Sequence, residues 1–358
     1  MGQRLVFTDT PSTAVDSLLA GEAPKGKIYI LADTVTAQKC LPLLKEAETI
    51  AEAETIVVAN GDANKSLESL ASIWTSLSAS GATRSALLIN LGGGMITDLG
   101  GFAAATFKRG IRCINIPTTL LGAVDAAVGG KTGINFAGLK NEVGCFRAAE
   151  AVVISPAFYS TLPATELLSG YGEVLKHALI DSPEALAQAL SIAPAEATPD
   201  EIAPILQTSV QVKQRIVEED PFEHGIRRAL NLGHTAAHAF ESLALQKGSQ
   251  IPHGIAVAHG LVVDLVLSHL ALGFDSKWLH SVAGFVKEYY PAPTFGCKDY
   301  PALIAFMRHD KKNASTDSIN FTLLAAPGDI RIDCIRSPKE IETALDIARD
   351  LLGAYRRL

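Results

Sequence analysis

The sequence is short of the features that mark several protein classes. Its five cysteines (Cys40, Cys113, Cys145, Cys297 and Cys334) are odd in number and include no CxxC pair. That argues against a disulfide framework and a thiolate metal site, and fits free thiols in a reducing cytosol. Basic residues are not in excess: 31 lysines and arginines against 38 carboxylates leave a net charge of −7, so there is no global surface suited to nucleic acid. No stretch reaches ~18 uninterrupted apolar residues, and the opening MGQRLVFTDTPSTA lacks the long apolar core of a signal peptide. Internal repeats and low-complexity tracts are absent as well. These absences predict a soluble cytoplasmic protein that engages neither membrane nor nucleic acid. Its 358 residues are enough for two domains, each with its own core.

What is present alternates in its first part. Short apolar runs rich in β-branched residues at 27–33, 55–61, 86–92, 113–119 and 151–156 read as strands, and 63–80 and 97–108 between them read as helices. Such alternation predicts a Rossmann-like parallel sheet covered on both faces. Ligands on such sheets bind beyond the carboxyl ends of the strands, where Asp33, Gly61, Gly92 and Thr118 fall. After about residue 156 helical periodicity takes over at 165–177, 183–190, 201–217, 235–245, 254–272, 300–308 and 338–352, with a late strand pair at 319–324 and 330–332. The expected architecture is an α/β domain over 1–160 followed by an all-α domain over 161–358.

Residues capable of chemistry concentrate in 91–173. LGGGMITDLGGFAAATFKRG places a triple glycine between a strand and a helix, where the backbone can approach an anion and the helix N-terminus supplies N–H donors. In the helical half, His234 and His238 stand at i, i+4, His253 precedes a glycine, and Glu173 lies in an apolar helix with Lys176 at i+3. A carboxylate and imidazoles of this kind make a Zn²⁺-type ligand set; spacing leaves open which three of the four bind. Lys131, Lys140, Lys176, Lys213, Arg109 and Arg227 lie outside surface-like helix faces, and cations that converge in space suit a substrate carrying phosphate and carboxylate. Asp125, within LLGAVDAAVGG, needs a partner in so apolar a run. His177, His224, His259, His269, His280 and His309 read as structural, and Lys108, Arg112, Arg228 and Lys312 as solvated.

Taken together, GGGMITDLGGFAAATFKRG, IPTTLLGAVDAAVGGKTGIN, LKNEVG, LSGYGEVLKH, LNLGHTAAHAFE and IPHGIAVAHG resemble, in order, the signature blocks of the 3-dehydroquinate synthase family. The resemblance spans about residues 60–260. It implies a homodimer with an N-terminal NAD domain and a C-terminal helical domain around one divalent metal, Zn²⁺ or Co²⁺. Carried over by position, the metal ligands are Glu173, His234 and His253, which makes His238 a substrate-facing residue. NAD contacts are implied for Asp33, Asp62, Lys65, Gly93, Gly94, Asp98, Thr118, Thr119, Lys131, Lys140 and Thr161. The implied substrate cage is Asp125, Lys131, Asn141, Lys176, Lys213, Arg227, Asn231 and His238, with Lys311 in HDKKN and with Arg109 reaching across from the other subunit.

The family's substrate is a phosphorylated sugar acid, 3-deoxy-D-arabino-heptulosonate 7-phosphate. The implied reaction is transient oxidation by NAD, β-elimination of phosphate, re-reduction, ring opening and aldol closure. The sequence departs from the family where Asp62 replaces a frequent glutamate and Thr165 a frequent arginine, and the segment from His234 to His253 is a few residues longer than in some relatives. The alternatives are a cyclase acting on sedoheptulose 7-phosphate, a metal-dependent polyol dehydrogenase that would release NADH, and a non-catalytic relative. Lys213, Arg227 and Asn231 together favour the carboxylate-bearing substrate.

Overall fold

Apolar runs of four to six residues, ended by glycine, proline or a polar residue, are too short for helices and pair as strands. The computed structural model describes residues 3–20, 25–308 and 319–354; these divide into two compact units, the described residues within 1–163 and 202–210 and those within 164–201 and 211–358.

The first unit contains β1 (Arg4–Phe7), β2 (Ile28–Asp33), β3 (Glu54–Val58), β4 (Leu87–Gly92), β5 (Arg112–Pro117), β6 (Lys131–Phe136), β7 (Leu139–Phe146) and β8 (Ala151–Ile154). Six of these form one sheet in the order β1-β8-β5-β4-β2-β3, with every neighbouring pair parallel. Helices α1 (Pro11–Ala20), α2 (Thr36–Lys39), α3 (Leu67–Ala79) and α4 (Gly94–Thr106) connect them. Every residue of β4 is buried, the mark of a strand covered on both faces. β2 has β3 on one side and β4 on the other, so the strand order reverses between β2 and β4, and the crevice at their carboxyl ends is the usual ligand position of such sheets. Buried Asn90 donates from Nδ2 to Asn115 Oδ1 at 2.8 Å, and Asn115 donates to the Ala127 carbonyl at 3.3 Å. The pair ties β4 and β5 to the segment that carries Asp125.

The five expected strands all form; β3, β5 and β8 stop two or three residues short of Gly61, Thr119 and Pro156, while β2 and β4 start one residue later than the run. Two features are not marked in the sequence: β1, a four-residue strand at the sheet edge, and the antiparallel hairpin β6–β7. That hairpin is rich in glycine and largely solvent-exposed along β7, so its strand pattern is weak. Helix α1 was also missed, since PSTAVDSLLA is poor in strong helix formers.

The second unit contains α5 (Ala164–Asp181), α6 (Pro183–Ala189), α8 (His234–Gln246), α9 (His253–Leu272), α10 (Ser276–Tyr289), α11 (Tyr300–Arg308) and α12 (Pro338–Leu351). α7 (Pro199–Glu219) is divided, its residues 202–210 grouping with the first unit. The late strand pair is an antiparallel ribbon of β9 (Ile319–Ala326) and β10 (Asp329–Arg336), so the unit is helical with one ribbon rather than purely α. α9 is buried from Gly254 to Ser268. It is long and apolar enough to cross a membrane, yet 78% of its apolar window is buried inside the structure; a helix apolar all round is here the core of its unit.

α5 and α9 touch backbone to backbone. A Cβ on Gly254 would stand 1.6 Å from the Ser169 carbonyl oxygen, and one on Gly172 would stand 2.0 Å from the Gly254 carbonyl oxygen. The Gly254 N–H is received by Ser169 Oγ at 3.2 Å. Gly254→Ala is therefore expected to cost at least the ~1–3 kcal/mol typical of overpacking, because the obstacle is backbone. A urea melt of the variant checks this, and parental stability would show that the two helices can part there freely.

Buried His259 donates from Nε2 to the Pro291 carbonyl at 2.9 Å. Burial pushes its pKa down to about 4, the hydrogen bond only partly opposing. The folded state thus holds this imidazole neutral while the unfolded chain protonates it near pH 6.5. Its contribution is complete above that pH and lost as pH falls toward 4. At ~1.36 kcal/mol per pKa unit the loss is on the order of 3 kcal/mol. Equilibrium unfolding between pH 7 and 4 should decline more steeply in the parent than in His259→Gln, and equal slopes would contradict the assignment.

Candidate active site

Three helices of the second unit bring their functional residues together. Glu173 lies midway along α5, His234 opens α8 and His253 opens α9. Gly172 and Gly254, the residues at the α5–α9 contact, are the chain neighbours of Glu173 and His253. Gly233, with φ +79°, precedes His234, and its N–H is received by the buried Asp264 carboxylate on α9 at 2.6 Å. Glu173 Oε1 stands 3.4 Å from His234 Nε2 and 3.3 Å from His253 Nε2. The three donor atoms all lie within 4.8 Å of one another.

These separations suit a divalent cation. Bonds of ~2.0–2.1 Å in tetrahedral geometry put neighbouring donors roughly 3.4 Å apart. Glu173 is completely buried, and among the described residues neither of its oxygens has a hydrogen-bond partner of good geometry. A buried carboxylate costs several kcal/mol unless compensated, and a cation between it and two imidazoles supplies the compensation. One carboxylate with two histidines is also a usual catalytic zinc set.

Lys176, one turn along α5 and 1% exposed, forms an ion pair with Glu173 Oε2. Burial works to raise the Glu173 pKa, but the Lys176 ammonium, with His253, outweighs it and holds the carboxyl well below the usual range. Burial first, then Lys176, holds His234 well below its ordinary value, so this ring is neutral and able to ligate. His253 is pushed up to about 10, its burial overcome by the Glu173 and Glu241 carboxylates. Cation uptake here must then displace a proton, and weakens as pH falls.

His238 stands one turn beyond His234, with ring centroids 5.5 Å apart. Its donor atoms form a second close group with Glu241 and His253. Lys213 and Arg227 are both buried; Arg227 donates from Nη1 to the Pro221 carbonyl at 2.6 Å. Asn231 donates from Nδ2 to Glu223 Oε1 at 3.2 Å, and Glu223 is held at φ 62°. Lys311 lies outside the described residues.

Glu223, Glu241 and Asp264 were passed over in the sequence. Asp264 sits in LVVDLVL, where the argument that singled out Asp125 applies equally. Glu241 follows His234 by seven residues and His238 by three, which puts it on their helix face. Glu223 carries no local signal.

The first unit gathers a different set. Lys65, buried, donates to Asp98 Oδ2 at 3.0 Å and to Asn141 Oδ1. Asp62 stands 3.9 Å from Lys65 Nζ and 3.8 Å from Lys140 Nζ. Asn135 pins the hairpin to this loop, donating to the Asp62 carbonyl at 3.0 Å and accepting the Asn141 N–H at 3.0 Å. Asp33 ends β2 at the switch point, and its Oδ1 receives the N–H groups of Val35 and Thr36 at 2.8 and 2.9 Å. Gly93 and Gly94 open α4. Thr118 and Thr119 follow β5; Thr119 Oγ1 receives the Gly122 N–H at 3.0 Å, at the start of a π-helical turn, Gly122–Ala126, that presents Asp125. Lys131 opens β6, and Thr161 ends a 3₁₀ turn, Pro156–Thr161. Lys108 and Arg109 occupy the left-handed region at φ 49° and 68° and line a surface cleft with Thr83 and Arg84.

Comparison with known proteins agrees with the resemblance read from the signature blocks. The 3-dehydroquinate synthase N-terminal family model matches residues 55–169 and the 3-dehydroquinate synthase C-terminal model residues 170–313. A 3-dehydroquinate synthase from Parabacteroides distasonis is 52% identical over 91% of this chain and 92% of its own length. That of Pyrococcus furiosus is 44% identical over 76% of this chain and 78% of its own. Among solved structures, a 2-deoxy-scyllo-inosose synthase complexed with carbaglucose-6-phosphate, NAD⁺ and Co²⁺ has a TM-score of 0.82 at 21% identity, covering 97% of this chain and 96% of that one. A 2-epi-5-epi-valiolone synthase from Streptomyces hygroscopicus with NAD⁺ and Zn²⁺ has 0.80 at 24%, covering 98% and 97%. The two structures share the fold; the family models and the curated sequences carry the assignment. The chain belongs to the 3-dehydroquinate synthase family.

Proposed function

We propose that this chain converts 3-deoxy-D-arabino-heptulosonate 7-phosphate to 3-dehydroquinate and phosphate, a step of the shikimate route to aromatic amino acids, as a cytoplasmic homodimer. The observation that carries the reading is the convergence of Glu173, His234 and His253, beside a buried Lys176, in a member of this family. When bound, NAD supplies a hydride acceptor that is also the later donor, and Zn²⁺ or Co²⁺ held by Glu173, His234 and His253 supplies a Lewis acid beside the oxygen being oxidised.

The remaining work belongs to side chains. Each anionic group of the substrate takes two or more charge-assisted donors. In the second unit Lys213 and Arg227 are assigned to the carboxylate, Asn231 and His238 to the phosphate, and Lys176 to a ring hydroxyl. In the first unit Lys131 and Asn141 are assigned to the phosphate and Asp125 to a ring hydroxyl, while the loop of Asp62, Lys65 and Lys140, with Asp33 and Asp98, is assigned to the dinucleotide. Lys65 donates to Asn141 Oδ1, so the phosphate role of Asn141 requires that bond to be exchanged for one to substrate. Arg109 is assigned to the site of the partner subunit. The departing phosphate takes the neighbouring carbon-bound proton, which makes a dedicated side-chain base unnecessary at that step. The hydride removed is returned, so the reaction is redox-neutral and the enzyme is a lyase.

Metal-loaded protein given this substrate and NAD⁺ should release phosphate stoichiometrically with no net NADH, lose that activity to a chelator and regain it with Zn²⁺. Net NADH would convert the reading to a polyol dehydrogenase. Phosphate release from sedoheptulose 7-phosphate alone would convert it to a different cyclase.

A further inference from the structure

The His253 ring stands between two carboxylates. Its Nε2 lies 3.3 Å from Glu173 Oε1 and its Nδ1 lies 3.5 Å from Glu241 Oε2. A neutral imidazole donates at one nitrogen and offers a lone pair at the other, so the partner of Nδ1 decides which way the lone pair faces. His234 provides an internal comparison. Its Nδ1 lies 3.1 Å from the Leu232 carbonyl, an acceptor only, which leaves the lone pair on Nε2, 3.4 Å from the same Glu173 oxygen.

We propose that Glu241 is the positioning residue for His253, doing with a carboxylate what the Leu232 carbonyl does for His234. It holds the proton on Nδ1, fixes the ring plane and turns the Nε2 lone pair toward Glu173 and His234. Glu241 sits on α8, the helix that His234 opens, so the element that presents one imidazole also orients the other. The carboxylate additionally makes the His253 ring a more basic ligand. This inference rests on the reading that Glu173, His234 and His253 hold a divalent cation. The competing arrangement, a second cation held by His238, Glu241 and His253, would need His253 to ligate through both nitrogens at once. That requires an imidazolate, with loss of a second ring proton.

The test uses full-length apo protein and measures Zn²⁺ and Co²⁺ affinity by competition with a chromophoric chelator, together with stoichiometry and the visible spectrum of bound Co²⁺. The parent should take one cation per chain. Glu241→Ala should bind about 10–100-fold more weakly, with altered Co²⁺ bands and unchanged helicity. Glu241→Gln keeps an oxygen acceptor without the charge; it should recover the parental Co²⁺ bands and part of the affinity, and its near-isosteric shape keeps the test valid if the alanine variant folds poorly. Parental affinity and spectrum in both variants would overturn the positioning role. So would a second cation in the parent that Glu241→Ala loses. A parent that takes no cation overturns the metal reading itself, which distinguishes that failure from this one.

Discussion

The backbones of α5 and α9 meet where Gly172 faces Gly254, close enough that a methyl group on either would enter a carbonyl oxygen. Much of the second unit's chemistry depends on this contact, because Glu173 and His253 are the next residues along their chains. A similar constraint acts one layer away, where a Cβ on Gly260 would stand 2.1 Å from the Gly233 carbonyl oxygen and Asp264 receives the Gly233 N–H. Both approaches use α9 as the anvil. The helix is buried from Gly254 to Ser268, so it cannot slide without breaking its own core, and Glu173 on α5 and His234 on α8 are placed against the same rigid element that carries His253.

The contact also places a charge problem at the centre of the unit. Glu173 has no access to water, and its neighbours are an ammonium and two imidazoles. Lys176 keeps the carboxylate ionised without occupying the Oε1 side, which faces both histidine Nε2 atoms. A carboxylate that stays anionic while its neutralising partner sits on one oxygen is suited to receive a divalent cation on the other. On the proposed reading, a buried charge that costs stability is kept for a preformed ligand set, a common property of functional sites.

The interior of the parallel sheet is legible in the sequence because β2, β4 and β5 are buried on both faces and read as apolar runs, interrupted in β4 and β5 by Asn90 and Asn115 and ended by polar, proline or glycine residues. The hairpin β6–β7 is not, since its exposed, glycine-bearing strands owe their form to pairing and to the Asn135 bonds that hold them to residues 62–65. Among site residues, His234, His238, Glu173 and Asp125 stand out through spacing or through an apolar setting. The grouping of Glu173 with His234 and His253 comes from the family resemblance, since spacing alone leaves four candidates for three positions. Glu241 shares a helix face with His234 and His238, but its neighbour His253 lies on α9, and the pairing of Glu223 with Asn231 follows no local pattern.

The chemistry assigned to the second unit requires one cation between Glu173, His234 and His253. Anomalous scattering from Co²⁺-loaded crystals measures it directly. One peak per chain is expected, within bonding distance of Glu173 Oε1, His234 Nε2 and His253 Nε2. A peak placed instead between His238 and Glu241, or none near α5, would contradict it.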